Sequence, residues 1–599
     1  MTSKELREKW LNFYTERGHK DIGGVSLIGD GSTGVMFNVA GMQPLMPYLL
    51  GKKHPMGTRL CNVQGCVRTN DIDNIGDETH FTFFEMMGNW SLGDYFKKEK
   101  TQWSYDILTK VFGFDGNKIC ATVFEGDENC PRDTETAELL EKVGVKKENI
   151  FYLPKSDNWW DLPGTIGTPC GPDNEWFYPR NDKPCSKHCG PACGCGRYVE
   201  VGNDVYMQFE QLGNGKYKEL KNKNVDTGFG FERNLAFLNG ITDCYKLDLF
   251  ENVIKYIEKV SGKIYGSDAV STRAMRVIAD HTRTSVMLIG DINGIVPSNI
   301  GAGYILRRLM RRAIRYANTL GMATGSIAEI AKIYIEEVYN DSYPLLCEKE
   351  KYIIDEINKE EEKFLKTLEQ GTKEFNKLVS SLLKFAPDNK KISGDKAFRL
   401  FDTYGFPLEL TIEMAKEVGF EVDADGFEKA FEKHQEISKS VEKGVNKGGL
   451  VDDSIQTTRL HTAVHLLQAG LRKYLGDSVF QRGSNITSER ARFDFSYDKP
   501  MTDEEIQKVE DFVNNAIKSA IPVEYNEMTL DEARKSGALG IFDSKYGDVV
   551  KTYKIGNISH EICGGPHAKN TAELGKFKII KEQSSSSGVR RIRAEIFNN

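Results

Sequence analysis

Several common features are missing from this sequence of 599 residues. No apolar run is long enough to cross a membrane, and the polar, amphipathic N-terminus does not resemble a signal peptide, so we expect a cytoplasmic protein. Neither a GxxxxGK[ST] loop nor a GxGxxG turn opening a helix is present, which argues against P-loop and dinucleotide-binding folds. The net charge is −7, which argues against a protein that coats nucleic acid non-specifically.

Histidine is also scarce, with 10 residues, yet three of them fall in two short motifs near the C-terminus. His461 and His465 in HTAVH lie one turn apart on the same face of a predicted helix. Cys563 and His567 in CGGPH can add a thiolate and a third imidazole from a tight loop. Three imidazoles and one thiolate suit Zn²⁺, so we predict a zinc site built from two distant segments, with a purely structural zinc as the alternative to a catalytic one.

Cysteine is concentrated in one place, because five of the 12 residues fall within 170–195. Such clustering is typical of metal ligation in a reducing compartment. Four of them stand in a compact, Gly- and Pro-rich insert at 184–196: Cys185, Cys189, Cys193 and Cys195. The main prediction is a structural zinc held by four thiolates. His188 could replace one thiolate, and free thiols or an iron–sulfur cluster are the alternatives.

One predicted helix carries a dense row of arginines. In RRLMRRAIR, Arg307, Arg311 and Arg315 lie one turn apart, and no acidic residue occurs from 292 to 328. Such a stripe suits a phosphate backbone. The alternative is a solvated helix face whose arginines pair with acidic side chains from elsewhere in the chain.

Composition and periodicity predict a multidomain α/β protein. Residues 1–240 favour a mixed α/β domain with an antiparallel sheet, because they are rich in glycine, aromatics and short β-prone runs. Residues 241–438 are predominantly helical in pattern. Residues 439–454 are polar and contain glycine, which is typical of a linker. A final α/β domain is predicted at 455–599.

Two N-terminal segments carry the strongest motif signal. CVRTNDIDNIGDETHFTFFEMMGNWSLGDYF (66–96) has an arginine, an acidic loop and a glutamate flanked by aromatics. VDTGFGFER (225–233) opens with an acid, crosses two glycines and ends in Glu-Arg. Cations can neutralise the phosphates of a nucleotide, planar groups can stack on its base, and a carboxylate can bind an ammonium group. These segments resemble motifs 2 and 3 of the class II aminoacyl-tRNA synthetases, and of the alanyl-tRNA synthetase family in particular.

The resemblance extends along nearly the whole chain. FNVAGMQPLMPYLLG (37–51) resembles motif 1 of the class, and GYILRRLMRRAIRYANTLG (303–321) resembles the family's tRNA-recognition helix. FRLFDTYGFPLELT (398–411) and the two zinc motifs match further blocks in the same order. The resemblance implies a class II catalytic domain with an antiparallel sheet, a helical tRNA-recognition domain and an α+β editing domain.

The family's roles can be carried over to the ATP side of the site. Arg68 would contact the α-phosphate of ATP, Phe84 would stack on adenine, and Arg233 would close the other side of the base. Glu85 of the same motif is predicted among the catalytic residues. Mg²⁺ would help to neutralise the phosphates. The alanine carboxylate would attack the α-phosphate, and the alanyl group would then pass to the terminal ribose of tRNA(Ala).

The resemblance also implies a pocket for the amino acid. Trp160, Asn203 and Val205 would line it, and Asp226 would hold the ammonium group of alanine. The chain departs from the family at Gly202, where a tryptophan is common.

For RNA, the arginine row would hold phosphates, while Asn318 and Asp423 match the positions that read a G·U pair in the acceptor stem. The centre of three histidines and one cysteine would hydrolyse mischarged Ser- or Gly-tRNA(Ala), with Gln481 in its pocket. The β-barrel that usually precedes HxxxH is missing, as is the C-terminal oligomerisation domain. We therefore expect a compact and monomeric form.

The leading hypothesis is an ATP-dependent alanine–tRNA ligase that proofreads its product. The first alternative is a tRNA-deacylating editing factor with a degenerate synthetase half, because Thr79, His80 and Phe81 replace the Arg-His-His that is usual before Thr-Phe-Phe-Glu. The second is an RNA-binding paralogue that consumes no ATP.

Overall fold

The computed structural model describes these residues: 1–29, 35–69, 72–161, 166–213, 215–386, 389–443, 450, 454–540, 549–586 and 588–597. The chain divides into two compact units. The first contains Met1–Lys384 and Tyr404–Phe406, and the second contains Phe385–Thr403 and Pro407–Asn599. Within the described ranges, no helix is long and apolar enough to cross a membrane.

A sheet of nine strands is the central element of the first unit, as far as the chain is described. The strands are β1 (Lys20–Asp21), β2 (Arg59–Val67), β3 (Phe83–Leu92), β4 (Cys120–Phe124), β5 (Ile150–Leu153), β6 (Trp159–Trp160), β7 (Pro169–Pro179), β8 (Tyr198–Gly213) and β9 (Lys216–Gly230). Their order is β1-β2-β3-β9-β8-β7-β4-β5, with β6 paired to β7. The pairs β1–β2 and β4–β5 are parallel, and the other pairs are antiparallel. The predicted α/β class with an antiparallel sheet is confirmed.

The register of the strands decides which side chains share a face of this sheet. Trp90 on β3 lies opposite Asp226 on β9, and Asp226 lies opposite Val205 on β8. Directly opposite residues of an antiparallel pair point to the same side, so these three share one face. Phe84 is an even number of positions from Trp90 along β3 and joins that face, whereas Glu85 belongs to the other face.

Helices of the first unit lie before, between and after the strands along the chain, and those from α6 onward form a helical region. They are α1 (Ser3–Thr15), α2 (Met46–Leu49), α3 (Lys97–Asp106), α4 (Thr134–Val143), α5 (Phe231–Leu238), α6 (Asp248–Ser261), α7 (Ala269–Gly290), α8 (Gly301–Thr319), α9 (Ser326–Ile333), α10 (Pro344–Glu348) and α11 (Glu350–Phe385), which ends at the unit boundary. Helix α1 begins at a capping box, in which the Thr2 hydroxyl and the Glu5 carboxylate satisfy each other's backbone N–H groups. The succession α6–α11 confirms the helical periodicity predicted after residue 241.

The second unit combines short helices with two antiparallel sheets and a parallel strand pair. Its strands are β10 (Lys391–Ile392), β11 (Glu421–Val422), β12 (Gln481–Ile486), β13 (Ala491–Ser496), β14 (Val523–Thr529), β15 (Val549–Ile555), β16 (Ser559–Ile562), β17 (Lys576–Ser586) and β18 (Val589–Phe597). The helices are α12 (Gly394–Tyr404), α13 (Leu408–Glu417), α14 (Ala424–Lys443), α15 (Ile455–Leu475), α16 (Asp503–Lys518) and α17 (Leu530–Lys535). Strands pair as β10-β11, β12-β13-β18-β17 and β14-β15-β16.

The core of the second unit lies between α15, α16 and the four-stranded sheet. Leu460, Leu467 and Leu471 of α15 are fully buried with Phe493 and Ile592 of the sheet. Since α15 also carries HTAVH, this apolar face fixes the position of its two histidines.

The segment predicted as a linker, 439–454, is helical in its first part, because α14 continues to Lys443. Residues 444–449 and 451–453 lie outside the described residues. The domain boundaries predicted at 240 and 438 remain predictions, and the division into two units falls at neither of them.

Candidate active site and metal centres

Arg68 and Phe84 lie side by side at the edge of the motif 2 hairpin. The backbone N–H of Arg68 donates to the carbonyl of Thr82 at 2.9 Å, which extends the pairing of β2 with β3. The guanidinium carbon lies 4.8 Å from the centre of the Phe84 ring, a cation–π geometry. Nε donates to the carbonyl of Val39 at 3.2 Å, and the side chain is otherwise exposed. The arrangement offers a planar cation and a flat ring to one ligand.

Asp226 lies on the same face of the sheet beside Trp90, at the candidate amino-acid pocket. The Trp90 indole N–H donates to its Oδ1 at 2.6 Å, and Asp226 is only 7% exposed. Burial raises the pKa of this carboxyl to about 7, although the Trp90 hydrogen bond lowers it. Val205 and Trp160 pack in the apolar cluster around Trp90. The pocket therefore combines one buried acid with apolar walls.

Asn203 completes this pocket on β8, two positions from Val205. It lies opposite Gly228, where a Cβ would stand 3.0 Å from Asn203 Oδ1 and 3.1 Å from Met86 Sδ. A side chain at Gly228 would therefore press on the polar group that faces the pocket.

Glu85 is placed differently from the prediction. Its carboxylate is fully buried on the opposite face of the sheet, where Arg7 of α1 forms two hydrogen bonds to it at 2.7 and 2.8 Å. The Tyr343 hydroxyl donates a third at 2.8 Å. Neighbouring residues of a strand point to opposite faces, so Glu85 cannot share the site of Phe84. The catalytic role of Glu85 stays a prediction; in this structure its carboxylate joins α1 to β3.

Arg233, at the start of α5, forms an ion pair with Glu200 of β8, Nη1 to Oε2 at 2.8 Å. Glu200 belongs to a group of carboxylates that sequence reasoning missed, together with Asp173 and Glu175 of β7. Burial and then Glu200 raise the pKa of Glu175 to about 9. Burial, with Glu200 adding to it, raises the pKa of Asp173 to about 8. A signal was present in the sequence, because Asp173 and Glu175 are two positions apart in one strand. They lie opposite Val205 and Asn203 of β8.

The four predicted ligands of the C-terminal centre come together in the second unit. One ligand atom from each of His461, His465, Cys563 and His567 lies within 4.8 Å of all the others. Cys563 Sγ is 3.5 Å from His461 Nε2, and the ring centres of His461 and His567 are 4.2 Å apart. Helix α15 supplies two imidazoles and the loop after β16 supplies the other two groups.

Hydrogen bonds fix how the imidazoles of α15 are oriented. His461 Nδ1 donates to the carbonyl of Pro566 at 3.0 Å, and His465 Nδ1 lies 3.1 Å from Glu561 Oε2. Both rings therefore direct Nε2 towards the centre. A carbonyl or carboxylate on the far nitrogen is the usual support of a metal-binding histidine.

The third imidazole is oriented in the same way. The Thr462 hydroxyl donates to the carbonyl of Thr458 at 3.1 Å, so its oxygen accepts from His567 Nδ1, also at 3.1 Å. His567 Nε2 is buried without a hydrogen-bond partner. Burial opposes ionisation of the Cys563 thiol, but the surrounding imidazoles hold its pKa well below the usual range. Three Nε2 atoms and an acidic thiol that converge on one point match the ligand set that a zinc ion requires. Thr462, inside HTAVH, and Glu561, two residues before CGGPH, were not predicted from sequence.

The four cysteines of the N-terminal insert also converge. Their sulfurs lie within 4.8 Å of one another, with Cys185 and Cys193 at 3.3 Å and Cys189 and Cys195 at 3.8 Å. All four are free thiols. His188 is not a member of the group, so the thiolate set of the main prediction is the one that the structure assembles.

Comparisons with known proteins identify the family of the chain. A family profile described as "tRNA synthetases class II (A)" matches residues 5–473, and one described as "Threonyl and Alanyl tRNA synthetase second additional domain" matches 550–593. The "Alanine--tRNA ligase" of Borrelia hermsii is 51% identical and covers 99% of both chains. The chain belongs to the alanyl-tRNA synthetase family. It is therefore a class II aminoacyl-tRNA ligase.

Two further relatives differ in the share of their own length that this chain covers. The "Alanine--tRNA ligase" of Treponema denticola is 51% identical and covers 99% of both chains. That of Thermotoga maritima is 37% identical over 711 aligned positions, covering 99% of this chain and 80% of its own. Because that alignment is longer than the 599 residues of this chain, many aligned positions carry a residue only in the Thermotoga relative.

The arginine row of this synthetase, predicted to bind phosphates, is largely buried in its C-terminal part. Arg311 pairs with Glu360 of α11 at 2.7 Å, and both side chains are nearly buried. Arg315 is 7% exposed. The pair with Glu360 agrees, for Arg311, with the alternative of a helix face with acidic partners, and phosphate binding by the row stays a prediction. Arg307 is half-buried and contacts Asn299.

The remaining predicted residues lie at the surface or on a strand. Asn318 is exposed and lines a groove with α11 residues such as Thr372 and Asn376. Asp423 belongs to the second unit, where Lys391 Nζ lies 3.4 Å from its Oδ1. Gln481 opens β12, and its amide donates to the Ser484 hydroxyl at 2.9 Å.

Proposed function

We propose that this chain joins alanine to tRNA(Ala) and hydrolyses the wrongly charged product in a second centre. The observation that carries the proposal is the pocket of Asp226, Trp90 and Val205 on the same sheet face as Phe84 and its neighbour Arg68. A buried acid between apolar walls fits a small amino acid with an ammonium group, and the cation and ring fit a nucleotide.

In the first reaction, Asp226 holds the ammonium group of alanine, and Val205 and Trp160 contact its methyl group. Arg68 binds the α-phosphate and stabilises the negative charge that develops when the alanine carboxylate attacks the phosphorus. Phe84 stacks on adenine, and Arg233 exchanges its pair with Glu200 for the other face of the base. Most of the rate enhancement comes from positioning and from charge neutralisation.

Mg²⁺ would accompany the phosphates of ATP, and Asp173 and Glu175 add carboxylates on β7 opposite Val205 and Asn203 of β8. Burial raises the pKa of Asp173 to about 8 and that of Glu175 to about 9, so a nearby cation would stabilise their ionised forms. Mg²⁺ prefers carboxylate oxygens together with substrate phosphates and water. When bound, it neutralises the charge of the phosphates and of the leaving pyrophosphate.

Glycine and serine also fit a pocket of this size, because a small apolar pocket discriminates weakly against them. The second centre would remove them. His461, His465, Cys563 and His567 would hold Zn²⁺, which supplies a Lewis acid for ester hydrolysis. Gln481 would contact the aminoacyl group.

The tRNA contacts are proposed at Arg307, Asn318 and Asp423, because the side chains of Arg311 and Arg315 are nearly buried. An amide and a carboxylate can read the edge of a base pair, while an arginine binds a phosphate. The cytoplasmic location and the monomeric state stay predictions.

ATP–pyrophosphate exchange with the purified chain tests this function. Exchange should be strong with alanine and weaker with glycine and serine, and the chain should deacylate Ser-tRNA(Ala). Deacylation without exchange for any amino acid would contradict the ligase and favour the editing factor with a degenerate synthetase half. A chain that binds tRNA(Ala) but catalyses neither exchange nor deacylation would favour an RNA-binding paralogue.

The efficiency of alanine activation should fall as the pH decreases through about 7. Burial raises the pKa of Asp226 to about 7, so the carboxyl is neutral below that pH and cannot pair with ammonium. Because the pKa of Asp226 is higher in the folded chain than in the unfolded chain, ionising this carboxyl lowers the stability of the ligand-free fold as the pH rises above the unfolded pKa. The ammonium group of alanine offsets this loss of stability. The measurement is kcat/KM for alanine in the exchange assay from pH 5.5 to 8.5.

A decrease approaching about tenfold per pH unit below 7 is expected for the natural chain. Asp226→Asn should lower kcat/KM at every pH and remove this dependence. A flat profile for the natural chain would show that Asp226 does not titrate in this range or does not bind the ammonium group.

A further inference from the structure

We infer that Cys185, Cys189, Cys193 and Cys195 hold one zinc ion, and that this ion fixes the β7–β8 hairpin on which ATP binding depends. The inference rests on the proposed function and adds to it a metal that controls the activation of alanine. The hydrolytic centre of the second unit would not depend on this ion.

The distances between the sulfurs agree with a tetrahedral thiolate site. Cys185 and Cys193 are 3.3 Å apart, and Cys189 and Cys195 are 3.8 Å apart. Four sulfurs at the usual Zn–S distance of about 2.3 Å stand about 3.8 Å from one another. A tetrahedral set of four sulfurs favours zinc or an iron–sulfur cluster. The insert has one such set, with all four sulfurs within 4.8 Å of one another, which suits a single ion.

The insert contains no apolar core that could hold this shape. Within 180–197, all described, Gly190 is the single buried residue. Gly194, between Cys193 and Cys195, and Gly196, directly after Cys195, adopt left-handed φ angles of +63° and +73°, which turn the chain sharply at these ligands. A loop that buries so little surface needs another source of folding free energy, and metal binding can supply it.

The surroundings of the sulfurs match their charge. Four thiolates and one Zn²⁺ carry a net charge of −2, which requires a nearby cation. Arg197 supplies it, because its Nη1 donates to Cys189 Sγ at 3.8 Å. The same guanidinium donates from Nε to the carbonyl of Asn181 at 2.9 Å, which joins the two ends of the insert.

The insert closes the hairpin that leads to the ATP side of the site. The N–H of Arg180 donates to the carbonyl of Arg197 at 2.8 Å, directly beyond the last pair of β7 and β8. Three residues after Arg197, Glu200 pairs with Arg233 at 2.8 Å. Loss of the ion would release the end of this hairpin and so displace both residues.

The test compares metal content and kinetics in the full chain. By elemental analysis, the natural chain should contain two zinc ions and the variant Cys189→Ser/Cys195→Ser should contain one. The KM for ATP in alanine-dependent exchange should rise about tenfold or more in the variant, because a displacement near 1 Å can cost as much as 10²-fold. Deacylation of Ser-tRNA(Ala) should stay within about twofold, since its ligands lie in the other unit.

Two further variants separate the metal from general damage. Cys347→Ser makes the same chemical change at an exposed cysteine outside the cluster, and should leave metal content and the KM for ATP unchanged. Cys195→His keeps a zinc ligand and should retain the second ion and a nearly normal KM.

Three results would overturn the inference: one zinc in the natural chain, iron in place of the second zinc, or loss of the second zinc without a change in the KM for ATP. Absence of exchange in the natural chain would instead overturn the proposed function, and the metal analysis would still decide whether the cysteine site exists.

Discussion

Replacing Arg68 with alanine should lower the rate of alanine-dependent ATP–pyrophosphate exchange by about 10²–10³-fold, the usual cost of removing one preorganised donor from a transition state. Arg68 is exposed, and its contacts are the Val39 carbonyl and the Phe84 ring. The folded state therefore loses little when the side chain is removed. The loss should appear mainly in kcat, because the charge on the attacked phosphate grows in the transition state.

Two variants check this interpretation. Arg68→Lys keeps the charge but loses the planar fork, and should recover only part of the rate. Arg399→Ala removes an exposed arginine in another part of the chain and should exchange at the natural rate. An Arg68→Ala chain that retains more than about a tenth of the rate would remove Arg68 from the proposed machinery.

Replacing Lys100 with methionine should lower the free energy of unfolding by about 3–5 kcal/mol, the usual cost of breaking a buried ion pair from one side. Lys100 Nζ lies 3.2 Å from Asp204 Oδ1, and both side chains are fully buried. The ammonium also donates to Asn89 at 2.7 Å and to Tyr14 at 2.9 Å. Denaturation by urea, followed by tryptophan fluorescence, measures the loss.

The matched control is Lys98→Met, the same change at an exposed position of α3, which should shift stability by no more than about 0.5 kcal/mol. Adding Asp204→Asn to the Lys100 variant removes the charge left unpaired and should restore part of the lost stability. A Lys100→Met chain as stable as the Lys98 control would show that water or a neighbouring group compensates the Asp204 carboxylate.

Local spacing predicted which candidate metal ligands come together. His461 and His465 are one helical turn apart, and α15 keeps that spacing in the structure. The orientation of the rings could not be predicted, because it depends on Pro566 and Glu561, which strand pairing and a loop bring to α15.

The sheet face or helix face on which a side chain lies was harder to predict than its place in a motif. Glu85 follows Phe84 directly in a strand, so alternation alone indicates opposite faces, and the motif resemblance hid that signal. The burial of Arg311 could not be read locally, because Glu360 pairs with it across two helices that are distant in sequence. A row of like charges on a helix indicates an interaction, but not whether the partner is RNA or the protein itself.

The departure at Gly202 also has a cause in the packing of the sheet. Gly202 lies opposite the ring of Phe229, and a Cβ there would stand 2.3 Å from that ring. The ring fills the space between the sheet and Trp10 of α1, with 5.3 Å between the ring centres. These two positions therefore share one fixed volume. Family members with tryptophan at the position of Gly202 should carry a smaller, non-aromatic residue at that of Phe229, so that the two positions covary through evolution as a pair.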